Sequence, residues 1–83
     1  MKALLYPLIS EKSVKLIEQE NTITFIVNEK ANKIEIKREF ERQFGVKVDE
    51  VRVCTTKHGE KKAYIRVNKA FKAREIATKL GVL

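Results

Sequence analysis

The strongest constraint on this chain is a pair of alternating segments separated by a short turn. Val51-Arg52-Val53-Cys54-Thr55-Thr56 and Lys61-Lys62-Ala63-Tyr64-Ile65-Arg66-Val67 flank His58-Gly59-Glu60. Period-two patterning about a glycine-containing turn predicts an antiparallel β-hairpin. Successive strand side chains alternate between faces, so Ala63, Ile65 and Val67 point to a core and Tyr64 and Arg66 to the opposite side. Val46-Lys47-Val48 extends the first arm, whose alternation breaks at Asp49-Glu50 in the manner of a bulge.

The remaining segments must cover that hairpin. Residues 2–6 read as a short first strand ended by Pro7, which lacks a ladder donor. Ser10 is placed as an N-cap, with Glu11 at the positive end of a helix from about residue 11 to 19 in which Val14 and Ile17 face inward. Thr22 to Val27 is β-branched and aromatic, with Ile23, Phe25 and Val27 on one face of a strand. Asn32 and Glu35 fit a capping box that opens a second helix, where Ile36, Phe40 and Phe44 recur every four residues and Gly45 ends the run. A third helix, from about residue 70 to 80, carries Ala73, Ile76, Ala77 and Leu80 on one stripe and stops at Gly81. The order βαβαββα implies an α+β fold: a mostly antiparallel sheet of about four strands packed with three helices.

A chain of 83 residues is expected to make one domain, residues 1–83. Its core is thin, because a chain this short buries only roughly 60 to 65% of the surface it exposes when unfolded. Cys54 is the lone cysteine, so no internal disulfide framework is available, and a reducing, cytoplasmic setting is the expectation. The apolar start at Ala3 to Ile9 is too short for a secretory leader and meets Ser10-Glu11-Lys12 rather than a small-residue cleavage site. No stretch approaches the roughly 18 apolar residues of a membrane span.

Catalytic and metal motifs find no support. One His, one Cys and no Gly-rich phosphate loop leave no zinc spacing and no recognisable Cys/His dyad, so neither catalytic residues nor cofactors nor metals are expected. His58 lies in the turn beside Gly59, and Cys54 reads as a small packing residue. Glu35, Glu39 and Glu41 interleave with Lys37, Arg38 and Arg42 at spacings suited to ion pairs along a solvated helix face.

Charge points elsewhere. Residues 1–50 hold nine Lys/Arg and nine Asp/Glu, which cancel, whereas residues 51–83 hold nine Lys/Arg against Glu60 and Glu75, which leaves the full +7. Clustered cations release counterions from a phosphate backbone, so RNA or DNA is the leading partner. Lys57, Lys61 and Lys62 sit at or beside the turn, and Arg52 and Arg66 on the non-core face of its strands. Tyr64, between Lys62 and Arg66, offers a flat surface for a base, but a single tyrosine favours phosphate and shape recognition over base-by-base readout. The rival reading is a protein-interaction adaptor whose basic face serves solubility.

Four segments, in order and at matching spacings, resemble one family. Tyr6-Pro7-Leu8-Ile9-Ser10-Glu11-Lys12 resembles the Pro-x-x-Ser/Thr-Glu-Lys opening of large-subunit ribosomal protein twenty-three. Asn21 to Val27 and Ala31 to Lys37 are similar to that family's next strand and helix. Gly59 to Arg66 resembles its final hairpin, and Ile76 to Leu83 its C-terminal helix in the archaeal and eukaryotic branch. The resemblance implies a structural role in translation: binding large-subunit ribosomal RNA beside the exit of the nascent-chain tunnel. It also implies ribosomal protein twenty-nine as a neighbour, and the signal recognition particle and protein-conducting channel as transient partners, with no direct membrane insertion. On this reading Lys12, Lys33, Lys37, Lys57, Lys61, Lys62 and Arg66 are the expected RNA-binding residues, and Ser10 and Glu11 the expected partner-docking residues. Bacterial members carry a long extension in the hairpin where this chain has a short turn, so a tunnel-lining role for that loop is not expected.

Overall fold

The computed structural model of the protein describes residues 2–83. Its elements run β1 (Leu4–Pro7), α1 (Glu11–Glu20), β2 (Thr22–Val27), α2 (Lys33–Phe44), β3 (Val48–Thr55), β4 (Lys61–Val67) and α3 (Ala73–Leu80). This is the α+β order read from the sequence. The four strands form one sheet in the order β1-β2-β4-β3, antiparallel throughout. The hairpin register pairs Val51 with Ile65 and Val53 with Ala63, and the expected bulge falls between Val48 and Glu50.

β2 lies inside the sheet, and all six of its residues are buried. Ile23, Phe25 and Val27 join Ala63, Ile65, Val67 and Val51 in one core, closed by Ile17 of α1, Ile36 and Phe40 of α2, and Ala73, Ile76 and Ala77 of α3. Phe40 is fully buried, meets Phe25 edge-on at a centroid distance of 6.0 Å and lies tilted against Phe44 at 4.7 Å. Such aromatic contacts add to the stabilisation that burial of their area already provides.

The helix ends follow local chemistry. Ser10 Oγ accepts the Ser13 N–H and Ser13 Oγ accepts the Ser10 N–H, a reciprocal cap repeated by Asn32 and Glu35 at α2. Gly45 and Gly81 take left-handed backbone at φ 65° and 79°, where a side chain would be strained.

Several boundaries differ from the sequence reading. β1 begins at Leu4 and includes Pro7, which pairs with Phe25; a proline is tolerated there because β1 is an edge strand. Val46 and Lys47 lie outside β3. α3 starts at Ala73, not near residue 70, because Asn68 claims the preceding chain. Its Oδ1 accepts the Ala70 N–H and its carbonyl the Phe71 N–H, and Lys72 is left with extended backbone. In α1 the buried positions are Ser13 and Ile17, with Val14 half-buried.

The carboxylates of α2 do not form the expected ion pairs along that helix. Glu35 caps the helix, Glu39 accepts the N–H groups of Ala3 and Leu4 at 3.0 and 2.8 Å, and Glu41 accepts the Val48 N–H at 2.8 Å. Backbone donors at strand starts lack ladder partners, and a carboxylate satisfies them with a charge-assisted bond stronger than a solvent-exposed ion pair.

Candidate nucleic-acid interface

The hairpin register assembles the basic surface. Glu50, Arg52 and Cys54 of β3 stand opposite Arg66, Tyr64 and Lys62 of β4, and Thr22, Thr24 and Ile26 of β2 continue the same rows. These residues face away from the core side that carries Val51, Ala63 and Ile65. Cys54 is therefore exposed and opposite Lys62, not packed as expected, because the bulge and alternation turn Val51 and Val53 inward in its place.

The Arg52 guanidinium lies 5.8 Å from the centre of the Tyr64 ring, within cation–π range. Glu50 Oε1 sits between Arg52 at 3.7 Å and Arg66 at 3.9 Å. All three side chains are about half exposed, at 46 to 60%, so these pairs orient the guanidinium groups without consuming their charge. Burial raises the Tyr64 pKa, the Cys54 thiol adds to the effect and Arg52 partly opposes it. The phenol accordingly keeps its proton and its neutral ring at neutral pH.

Lys12 joins this face from a distant part of the sequence. Leu8, Ser10, Lys12, Ser13 and Leu16 line a small cleft together with Thr24, Lys62 and Tyr64. The two lysines thus meet where the start of α1 reaches the open side of β2 and β4.

The other expected RNA-binding residues fall into separate groups. Lys57 is exposed at the hairpin tip. Lys61 shares the side of Ala63 and Ile65, and its Nζ donates to the Ala31 carbonyl at 2.6 Å. Lys33 and Lys37 are exposed on α2. Of the seven, the fold brings together Lys12, Lys62 and Arg66 and leaves Lys33, Lys37 and Lys61 toward the helical side. Ser10 Oγ caps α1 by accepting the Ser13 N–H, and Glu11 is 86% exposed, 3.7 Å from Lys15.

Two features escaped the choice of site residues. Arg52 belongs to the open face as fully as Arg66, a placement that alternation alone already implied. Lys69, Lys72 and Arg74 gather around the half-buried Phe71 in a groove that Ile17, Glu18 and Asn21 close on the other side. The clustering of these cations was visible in the charge count, but the groove depends on the meeting of α1 and α3.

Among the described residues, no cluster of three or more His, Cys, Asp or Glu is arranged to hold a metal ion, and no helix is long and apolar enough to cross a membrane. The geometry offers cations, hydroxyls and two tyrosine rings on an open sheet, Tyr64 and, opposite Ile26 on the edge strand, Tyr6, an arrangement for contacting a polyanion. The model of a family described as ribosomal protein L23, structural proteins of the large ribosomal subunit and not enzymes, matches residues 2–80. With nearly all of its 83 residues inside that match, the chain belongs to this ribosomal protein family.

Proposed function

We propose that the chain acts as one RNA-binding unit, anchored to large-subunit ribosomal RNA beside the exit of the nascent-chain tunnel through the open face of β3 and β4. The observation that carries this reading is the convergence of Lys12, Arg52, Lys62 and Arg66 around Tyr64 on one sheet face of a ribosomal protein. Lys57 extends that surface at the hairpin tip, and Lys33 and Lys37 supply a second set of cations beside α2, whereas Lys61 is engaged with the Ala31 carbonyl. The sheet fixes both sets relative to one another, which suits recognition of backbone shape more than base sequence.

Family membership also supports ribosomal protein twenty-nine as a neighbour, and the signal recognition particle and protein-conducting channel as visitors to the ribosome. Glu11, exposed at the start of α1 next to the Ser10 cap, is the contact proposed for such factors. The short connection between Thr55 and Lys61, together with the residues Gly81-Val82-Leu83 after α3, favours an archaeal-type member of the family.

Salt titration against a large-subunit RNA fragment tests the RNA reading directly. If about six phosphates are contacted, log affinity falls with log salt at a slope of roughly −4 to −5; a slope near zero sinks it. Sedimentation of tagged protein tests its place in the cytoplasmic ribosome, since absence from the large-subunit peak overturns the assignment. Co-sedimentation that survives nuclease treatment would favour the protein-interaction adaptor.

A further inference from the structure

The cleft between α1 and the sheet holds an anomaly. Thr24 is only 3% exposed, and its Oγ1 is a buried side-chain oxygen with no hydrogen-bond partner among the described residues. Buried hydroxyls are nearly always paired, because leaving one unpaired forfeits the hydrogen bonds it makes to water in the unfolded chain. The neighbouring Thr22 shows the ordinary solution, donating its hydroxyl to the Glu20 carbonyl at 2.9 Å. Thr24 has an unpaired hydroxyl and lines a cleft that Lys12 and Lys62 also line.

The cleft's polar groups are almost all donors. Lys12 and Lys62 take part in no ion pair among the described residues, and no carboxylate lines the cleft. Ser13 Oγ is spent, since its one hydrogen is shared between the Leu8 and Ser10 carbonyls and it accepts the Ser10 N–H. Ser10 Oγ accepts the Ser13 N–H and retains its own hydrogen for an outside acceptor. Two lysines and two residues with an uncommitted hydroxyl hydrogen thus line one cleft, together with Leu8 and Leu16.

The size of that space narrows the ligand. The cleft is small, with about 30 Å³ open to the centres of water-sized atoms, so an oxygen of a larger anion resting on the surface can reach into it. We propose that Lys12, Lys62, Ser10 and Thr24 form a socket for one backbone phosphate of RNA, with a non-bridging oxygen accepting the Thr24 hydroxyl and the two ammonium groups closing on the phosphate from either side. This rests on the RNA-binding reading above and deepens it: one phosphate is held at a fixed point, and the N-terminal motif and the hairpin grip it together.

The test uses the full chain, a large-subunit ribosomal RNA fragment and four variants: Thr24→Val, Lys12→Gln, Lys62→Gln and the double lysine variant. Thr24→Val keeps the shape and removes the orphaned hydroxyl, so its thermal midpoint stays level or rises while RNA affinity falls about tenfold, as loss of a hydrogen bond to a charged group requires. Opposite movement of stability and affinity is the signature, because a merely structural threonine would lose both. The lysine variants couple: the double variant binds more tightly than the product of the single losses implies, and its salt slope shallows by about 0.7 to 0.9, as for one phosphate rather than two. Wild-type RNA affinity in Thr24→Val, or independent lysine losses worth two phosphates, would overturn the socket. A Thr24→Val protein that is destabilised but binds normally would mean that the hydroxyl serves only a trapped water, and would also overturn it. If wild-type protein binds the fragment with a steep salt slope and the variants do not differ from it, the socket alone fails; if the wild type shows no salt-dependent binding, the RNA reading fails with it.

Discussion

Lys61 Nζ donates to the carbonyl oxygen of Ala31 at 2.6 Å, joining β4 to the residue just before the α2 cap. Ala31 is 1% exposed, so its carbonyl has little access to water if the lysine is lost. Lys62, the next residue, points to the open face. The two adjacent lysines are thus expected to separate in experiment. Lys61→Met, which keeps the apolar stem, should cost about 1 to 2 kcal/mol of folding stability and little RNA affinity. Lys62→Met should leave stability nearly unchanged and weaken RNA binding. Urea unfolding and RNA titration on the same samples check both, and equal effects on either measurement would contradict the placement.

Glu39 predicts an acid limit to stability. Partial burial pushes its pKa up, but the N–H groups of Leu4 and Ala3, followed by the charges of Arg42 and Lys2, outweigh that push and leave it below its ordinary 4.5. The folded protein therefore holds this carboxylate ionised more strongly than the unfolded chain does. Its contribution is complete above about pH 4.5 and is lost as pH falls through the lower folded value. Glu39→Gln replaces one of the two acceptors by a donor that faces a backbone N–H. Stability at neutral pH should fall by about 1 to 2 kcal/mol, and the loss on acidification should become shallower. Thermal unfolding between neutral pH and pH 3 follows both changes.

Asn21 ties α1 to α3. It takes left-handed backbone at φ 52°, while its Nδ2 donates to the Val67 and Phe71 carbonyls at 2.9 and 3.0 Å and its Oδ1 accepts the Ala73 N–H at 2.8 Å. The side chain performs for α3 the capping role that Lys72 does not. Asn21→Gly preserves the backbone preference but loses these bonds, at an expected cost of about 2 kcal/mol. Asn21→Ala should cost about 1 kcal/mol more, because alanine resists the left-handed conformation. Chemical denaturation ranks the variants, and equal stability of the two would show that the backbone conformation contributes nothing.

Local chemistry made much of this fold legible in the sequence, and non-local chemistry made the rest invisible. The Asn32–Glu35 box, the Gly45 and Gly81 stops, the bulge at Asp49-Glu50 and the alternation of β4 each depend on residues a few positions apart. The start of α3 is not legible locally, because Asn68 and the distant Asn21 hold residues 70–72 in a turn that helical propensity does not foresee. The same limit applies to the site. Alternation placed Arg66 on the open face, but the meeting of Lys12 with Lys62, and the diversion of Lys61 to Ala31, follow from tertiary packing. Charge patterning identified which residues are basic; strand register decided which of them share a surface.

The Arg52–Tyr64 pair allows stacking to be separated from charge. An aromatic ring contributes to single-stranded RNA binding through base stacking, worth about 1 to 3 kcal/mol per base, and releases no counterions. A guanidinium at a phosphate does release them. Tyr64→Leu should therefore lower affinity about fivefold to tenfold at every salt concentration and leave the slope of log affinity against log salt unchanged. Arg52→Met should make that slope shallower by about 0.7 to 0.9 if its guanidinium meets a phosphate, and its effect should fade at high salt. Arg52 is 60% exposed, so neither its cation–π contact nor its pairing with Glu50 is expected to matter much for folding. Parallel salt titrations of the two variants decide the matter. A change of slope in Tyr64→Leu would mean that the ring acts by positioning Arg52, and identical slopes in all three proteins would remove Arg52 from the phosphate contacts.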